Sequence, residues 1–193
     1  MENPEGQEGL RGRIRAAAME LFRMQGPRFT MQQVAEEIHI SKKTIYAAYP
    51  SKEALGLDMV DEAFAAIHCR KQAILGGDAA LAQKLHDVII ALPDEYAALD
   101  LRWMDELDET YPAVAARVRW QLETGWEPTL ALLEQAMDEG VIRRVSLPIL
   151  QTMITATIEA FLADRTLTER SGLAYTEALE EMISILLKGL MNQ

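Results

Sequence analysis

The segment from Lys42 to Ala47 carries side chains of the types that bind the edges of DNA bases. Lys42 and Lys43 can donate hydrogen bonds to O6 and N7 of guanine. Thr44 can donate, accept or touch the methyl group of thymine, and Ala47 permits a methyl contact at close approach. Base recognition follows if the segment is a helix that presents these four residues on its outer face.

Two short helical patterns provide that arrangement. Thr30, followed by glutamine three positions later, is typical of a capping box that begins a helix. Ser41 is a favourable N-cap for a second helix over residues 42–48, in which Ile45 and Tyr49 share one face at i, i+4 spacing. Burial of these two side chains turns the four base-binding types outward. The pair predicts a helix-turn-helix, and a packed hairpin with a solvated lysine pair is the alternative.

The run from Phe29 to Leu55 resembles the DNA-binding segment of the tetracycline-repressor (TetR) family of bacterial transcription regulators. The matching residues are Phe29-Thr30, Val34-Ala35, Ile40-Ser41-Lys42-Lys43-Thr44-Ile45-Tyr46 and Tyr49-Pro50-Ser51-Lys52-Glu53-Ala54-Leu55. The resemblance implies phosphate contacts by Thr30, Tyr46 and Lys52, and base contacts by Lys43, Thr44 and Ala47. The full DNA-binding set that we predict is Thr30, Lys42, Lys43, Thr44, Tyr46, Ala47, Tyr49 and Lys52.

His39 stands in the turn, where the resembled family usually has glycine. The position tends to need a positive φ, which strains most residues other than glycine, although histidine is among the more tolerant. The conformation of His39 stays open at this point, and we expect His39→Gly to be neutral or stabilising if the position is left-handed.

The basic residues are concentrated near the start of the chain. Residues 10–52 hold eight basic and three acidic residues, although the whole chain has a net charge of −11. Residues 53–193 hold 11 basic and 24 acidic residues. A basic segment on an acidic chain favours contact of that segment with a phosphate backbone. We predict a disordered N-terminus at 1–9, a DNA-binding domain at 10–52, and a ligand-binding and dimerisation domain at 53–193.

Helical periodicity continues to the end of the chain, so the predicted fold class is all-α. We expect about nine helices: an N-terminal three-helix helix-turn-helix domain, then a larger helical domain. Pro128 predicts a kink in a long helical pattern that ends near Gly140. The apolar run over residues 147–163 carries five polar side chains, which indicates a helix packed on protein rather than lipid. The single Cys69 and the lack of a leader before Leu10 favour a reducing, cytoplasmic location.

Aromatic residues near the expected kink are candidates for an apolar ligand pocket. The predicted lining is Trp103, Met104, Trp120 and Trp126, with plain core packing as the alternative. These side chains favour an apolar or aromatic effector, and the acidic composition favours a neutral or cationic one.

The last two helical patterns carry wide apolar stripes. The resemblance implies that this pair meets its copy across a two-fold axis as a four-helix bundle, and burial within one monomer is the alternative. The predicted dimer-interface residues are Ile154, Ile158, Phe161, Met182, Ile185, Leu186 and Gly189.

Motifs for catalysis are sparse. Glu36 and His39 form an E-x-x-H pattern, but the second pair that a di-iron site needs is missing. The acidic cluster at residues 105–109 lies along a helix, whereas hard cations usually take loop oxygens as well. We therefore predict no catalytic residues, no metal and no cofactor, and a helical-bundle enzyme or small-molecule carrier is the alternative.

These patterns together predict a ligand-responsive DNA-binding transcription regulator, a repressor that acts as a homodimer. The predicted partners are a near-palindromic double-stranded DNA operator, a second copy of the chain and a small-molecule effector.

Overall fold

The structure, a computed structural model, describes residues 4–91, 104–163 and 170–191. It confirms the all-α prediction. The helices are α1 (Pro4–Gln25), α2 (Met31–Glu37), α3 (Lys42–Ala48), α4 (Lys52–Gly76), α5 (Leu81–Ile89), α6 (Met104–Thr110), α7 (Pro112–Glu123), α8 (Glu127–Asp138), α9 (Leu147–Ala163) and α10 (Tyr175–Leu190). Within the described ranges, none is long and apolar enough to cross a membrane.

The first compact unit comprises residues 1–63 and 98–119. Helices α2 and α3 have only seven residues each, too few to be stable alone, so their stability comes from packing. Their apolar faces join those of α1 and the start of α4 in one core. Its buried residues are Ile14, Ala17, Ala18, Leu21, Phe29, Met31, Val34, Ala35, Ile45, Tyr49, Leu55 and Met59.

Helix α6 and the first part of α7 also belong to this unit. Val114 and Ala115 are buried there beside Leu107. A Cβ at Gly56 would lie 3.0 Å from Val114 Cγ2, so glycine allows α4 to approach α7 closely. The compact unit therefore extends beyond residue 52, and the functional boundary that we place there stays a prediction.

The second compact unit comprises residues 64–97 and 120–193. Helices α5, α8, α9 and α10 each contribute an apolar face to its core. The buried residues are Leu85, Val88, Leu132, Leu133, Ala136, Ile142, Leu150, Ile154, Leu179, Met182, Ile183, Leu187 and Leu190.

Two local predictions are wrong. Helix α1 begins at Pro4, so residues 4–9 form its first turns rather than a disordered tail. The expected kink near Pro128 is instead a complete break, because Gly125 has a φ of 71° and separates α7 from α8. Pro128 lies in the first turn of α8, where its missing N–H costs no hydrogen bond.

Candidate nucleic-acid interface

Side-chain caps fix the start of each helix of the predicted helix-turn-helix. Thr30 Oγ1 accepts from the Gln33 amide at 3.2 Å, and Gln33 Oε1 accepts from the Thr30 amide at 2.7 Å. Ser41 Oγ accepts from the Thr44 amide at 3.0 Å at the start of α3. Both predicted caps are confirmed, so the sequence defines where each short helix begins.

The turn between α2 and α3 depends on a left-handed residue. His39 has a φ of 55°, so of the two conformations left open by the sequence it adopts the left-handed one. The amide of Ile40 donates to Ala35 O at 2.9 Å and that of His39 donates to Glu36 O at 3.2 Å, which is the Schellman pattern at a helix C-terminus. The turn therefore sets the angle at which α3 leaves α2.

We expect His39→Gly to raise the free energy of unfolding by up to about 1 kcal/mol, because relief of the left-handed strain outweighs the entropy of glycine in the unfolded chain. His39→Val should lower it, since a β-branched residue is disfavoured at positive φ. Thermal melts of the two variants and the parent test this. A glycine variant that melts clearly below the parent would contradict it.

The outer face of α3 presents most of the predicted DNA-binding residues to solvent. Lys42, Lys43, Tyr46 and Ala47 are exposed, and Thr44 is half-buried. Thr30, at the start of α2, is also exposed. Ile45 is fully buried on the opposite side of α3 and anchors the helix to the core.

Tyr49 was wrongly placed in the DNA-binding set. Its side chain is 1% exposed, and its hydroxyl donates to Asp58 Oδ2. Burial, followed by the nearby carboxylate, raises the pKa of Tyr49 to about 12. Tyr49 therefore belongs to the core, consistent with its shared face with Ile45.

Lys52 also faces inward. Its ammonium group donates to the carbonyl oxygens of Pro27 and Phe29 and lies 4.1 Å from the centroid of the Phe29 ring. The Tyr111 ring centroid is 5.0 Å away on another side. Burial lowers the pKa of Lys52. The structure therefore gives Lys52 a structural role at the start of α4, in place of the phosphate contact expected of it.

Asp58 joins α1, α3 and α4 within the first unit. Its Oδ2 atom accepts from Arg11 at 3.1 Å, from Arg15 at 3.0 Å and from the Tyr49 hydroxyl. Burial alone would raise the pKa of Asp58, but these hydrogen bonds outweigh it and lower the pKa. Arg11 Nη1 also reaches Ala48 O at 3.5 Å, at the last residue of α3. The cluster therefore fixes the C-terminal end of α3.

Several of the basic residues in this unit are paired internally. Arg28 binds Glu106 through two hydrogen bonds of 2.9 and 3.0 Å, and Arg23 binds Glu20 at 2.7 Å. The positive charge available to bind a nucleic acid is therefore smaller than the count of basic residues suggests. Lys42 and Lys43 make up a correspondingly larger share of it.

Comparisons with known proteins agree with this geometry. Residues 14–59 match the family model for bacterial regulatory proteins of the tetR family. A curated relative, the uncharacterised HTH-type transcriptional regulator YvaF of Bacillus subtilis (strain 168), is 24% identical over 179 residues, which cover 92% of this chain and 94% of YvaF. The segment over residues 14–59 therefore belongs to the tetR family of DNA-binding regulators.

Solved structures extend the similarity in fold to nearly the whole chain. A TetR transcription regulator from Haloarcula marismortui has a TM-score of 0.71 at 18% identity and covers 96% of this chain and 100% of its own. Thermus thermophilus FadR, a TetR-family repressor solved with lauroyl-CoA, has a TM-score of 0.60 at 26% identity, with 95% and 96% coverage. These similar proteins are transcription regulators.

The predicted pocket residues do not all lie together in the structure. Trp126 lines a cavity in the second unit, with its indole Nε1 donating to Leu122 O at 2.9 Å. Trp120 is 50% exposed and does not line that cavity, so the structure does not bring it together with Trp126 there. Trp103 and the Met104 side chain lie outside the described residues.

Polar lining residues of this cavity were missed at the sequence level. They are His68, Lys71, Gln121, Thr124, Thr129, Thr155 and Tyr175. The one available signal was a hydroxyl residue, Thr155, on the apolar run of α9 beside Ile154 and Ile158. The position of Thr155 in the sequence does not indicate which helix its hydroxyl group faces.

The predicted dimer-interface residues differ in how far they are exposed. Ile154 and Met182 are buried in the core of their own unit, so their assignment to a dimer interface is wrong. Ile158, Phe161 and Leu186 are half-buried against the same core. Ile185 is 65% exposed, and Gly189 is exposed with open space around it.

Proposed function

We propose that this TetR-family regulator is a repressor that binds a near-palindromic operator as a homodimer and is released by a small effector. The outer face of α3 carries this proposal. Exposed Lys42, Lys43 and Ala47 stand on a helix fixed by a cap at one end and by the Asp58 cluster at the other. Two such helices in a dimer would occupy successive major grooves, about 34 to 36 Å apart or a multiple of that.

Two kinds of DNA contact divide the exposed residues. Lys43, Thr44 and Ala47 are the proposed base contacts, because they have the donor and methyl groups that base edges require. Thr30, Lys42 and Tyr46 are the proposed phosphate contacts. A protein of this kind acts where the chromosome is, so we propose a cytoplasmic location.

We expect Lys43→Ala to cost about 1 to 3 kcal/mol of DNA-binding free energy and to relax base preference. Lys42→Ala should weaken binding to all DNA sequences alike and lower the salt slope, the slope of log K against log salt concentration, by about 1. Binding to a library of near-palindromic DNA fragments over a series of salt concentrations measures both. Identical behaviour of the two variants would refute the division of roles.

Lys52→Met is the matched control, since it removes one positive charge from the same unit. Because the Lys52 ammonium is bound to backbone carbonyls, this variant should lower the melting temperature and leave the salt slope unchanged. A reduced slope at an unchanged melting temperature would restore Lys52 as a phosphate contact.

A second copy of the chain is the proposed partner of an exposed apolar face on α9 and α10. Ile149 is 62% and Met153 49% exposed on α9, and Ala156 and Ala160 continue the same stripe. Ile185 and Gly189 provide an exposed patch on α10. Exposed apolar side chains at helical spacing are typical of helices that meet a partner.

We expect Met153→Arg to convert the dimer to monomer, because a guanidinium would be buried without a partner at the interface. Gln72→Arg, which places the same charge at an exposed position of α4, should leave the dimer intact. Sedimentation velocity measures the oligomeric state, and circular dichroism checks that both variants keep their helix content. A dimeric Met153→Arg protein would place the interface elsewhere.

The cavity beside Trp126 is the proposed effector site. Helix α4 carries Phe64, Ile67 and His68 into its lining and, earlier in the same helix, Leu55 and Asp58 into the DNA-binding unit. A ligand that shifts α4 would thus act on a helix that both units share. The apolar part of the lining favours an apolar or aromatic effector.

A further inference from the structure

The cavity of the second unit is mainly apolar and small. Its volume is about 110 Å³, and aliphatic and aromatic side chains form most of its wall. An engineered protein cavity of about 150 Å³ holds a benzene ring. A single aromatic ring is therefore the largest apolar group that this cavity can enclose without rearrangement. The apolar lining side chains are Phe64, Ile67, Ile89, Ile90, Ala91, Leu122, Trp126, Ile158 and Leu179.

Two hydroxyl groups in this lining lack a hydrogen-bond partner. Thr129 is 0% exposed, and the Oγ1 atoms of Thr129 and Thr155 are both buried without a partner among the described residues. A buried, unpaired hydroxyl is destabilising, so such groups are usually satisfied by something that binds. Each hydroxyl can donate one hydrogen bond to an acceptor in the cavity.

Lys71 supplies a positive charge to the same lining. Its ammonium lies 5.6 Å from the centroid of the Trp126 ring and forms no ion pair in the described part of the chain. Burial lowers the pKa of Lys71. The described lining of the cavity contains no acidic residue. This is unusual here, since residues 53–193 hold 24 acidic side chains and arginines such as Arg117 and Arg144 pair with them.

We propose that the cavity binds a small apolar carboxylate, of one aromatic ring or a short alkyl chain, whose carboxylate pairs with Lys71 and accepts from Thr129 and Thr155. The apolar body would pack on the Trp126 side of the lining. The proposal rests on the proposed effector site and replaces the neutral or cationic effector that overall acidity favoured. The charge of Lys71 determines the preferred charge of the ligand, because solvent screens distant surface acids far more than a lysine that lines the cavity.

The test compares three probes of matched shape: phenylacetate, phenylacetamide and phenethylamine. Thermal shift and calorimetry on the full chain should show phenylacetate binding about tenfold or more tighter than the amide, with the amine not binding, as expected for a charge-assisted hydrogen bond. Hexanoate, hexanamide and hexylamine should repeat the order. If neither carboxylate binds better than its amide and amine, the proposal is wrong.

Variants separate a specific site from general attraction of anions. Lys71→Met should abolish the preference for carboxylate over amide, Lys71→Arg should keep most of it, and Lys84→Met is the control with the same loss of charge. Lys84 belongs to the same unit but lies outside this lining and donates to Leu75 O at 2.9 Å. Thr129→Val should raise the melting temperature of the free protein and reduce the shift caused by phenylacetate. A carboxylate preference that survives Lys71→Met would overturn the proposal.

Lauroyl-CoA, the ligand of the solved T. thermophilus regulator, is the alternative source of a negatively charged ligand. If it alone binds, and binds Lys71→Met equally well, the site does not recognise a small carboxylate. DNA binding is measured separately on the same samples. If phenylacetate binding depends on Lys71 but no operator is bound, the proposed repressor function is refuted and the proposed carboxylate site stands. If an operator is bound but carboxylates are not preferred, the carboxylate site is refuted and the repressor function stands.

Discussion

Replacing Asp58 by alanine is expected to lower the free energy of unfolding by about 3 kcal/mol. The variant removes a charged acceptor from two arginines and leaves the hydroxyl of Tyr49, which is 1% exposed, without its acceptor. Hydrogen bonds to charged groups contribute about 1.5 to 3 kcal/mol, and an unsatisfied buried group costs about 1 to 3 kcal/mol. Chemical denaturation of the two proteins measures the difference.

Asp61→Ala is the matched control, on the same helix and one turn further on. Asp61 accepts two hydrogen bonds from Arg117, at 2.7 and 2.9 Å, but the side chains of Asp61 and Arg117 are 41% and 39% exposed. Exposed ion pairs contribute about 0 to 1 kcal/mol, so this variant should be close to neutral. Equal losses at Asp58 and Asp61 would mean that the cluster around Asp58 does not stabilise the unit.

The same cluster predicts how stability depends on pH. The folded-state pKa of Asp58 lies below its ordinary value, so its stabilisation is present above the unfolded-state pKa and is lost as pH falls through the folded-state pKa. Asp58→Asn should therefore reduce the acid sensitivity of unfolding while lowering stability at neutral pH. Operator affinity of the variant should fall as well, because Arg11 no longer holds the end of α3.

Local rules explain why the helix-turn-helix could be predicted from the sequence. Thr30, Ser41 and His39 each act within a few residues along the chain, through capping or a backbone angle. The partners of Tyr49 and Lys52 lie at greater separations, and helical periodicity does not specify them. An exposed lysine and a buried one therefore look alike in sequence, and Lys52 was placed on the wrong side.

The residues of the cavity and of the proposed dimer face were also only partly predictable from the sequence. Choosing pocket residues by size selected Trp120, which is exposed, and missed Lys71 and Thr129, whose significance depends on what surrounds them. The apolar stripe on α9 is wide enough to have two faces. Ile154 faces the core of its own unit, whereas Met153, its neighbour in sequence, is 49% exposed.

Gly125→Ala is the second variant for which a large effect is expected, a loss of about 3 kcal/mol. Gly125 has a φ of 71° in the break between α7 and α8, and a left-handed backbone costs other residues about 1 to 2 kcal/mol. An added Cβ would also lie 2.5 Å from His68 Cε1, and overpacking of this kind costs about 1 to 3 kcal/mol.

Gly140→Ala separates these two contributions, because Gly140 has a φ of 72° but nothing within 4 Å of an added Cβ. It should lose only the backbone part, about 1 to 2 kcal/mol. The difference between the two variants measures the contact with His68, and His68→Ala in the Gly125→Ala background should recover it. Since His68 lines the cavity, Gly125→Ala should also weaken the phenylacetate response, and Gly140→Ala should not. Equal destabilisation by the two alanine variants would mean that the contact of the added Cβ with His68 costs nothing.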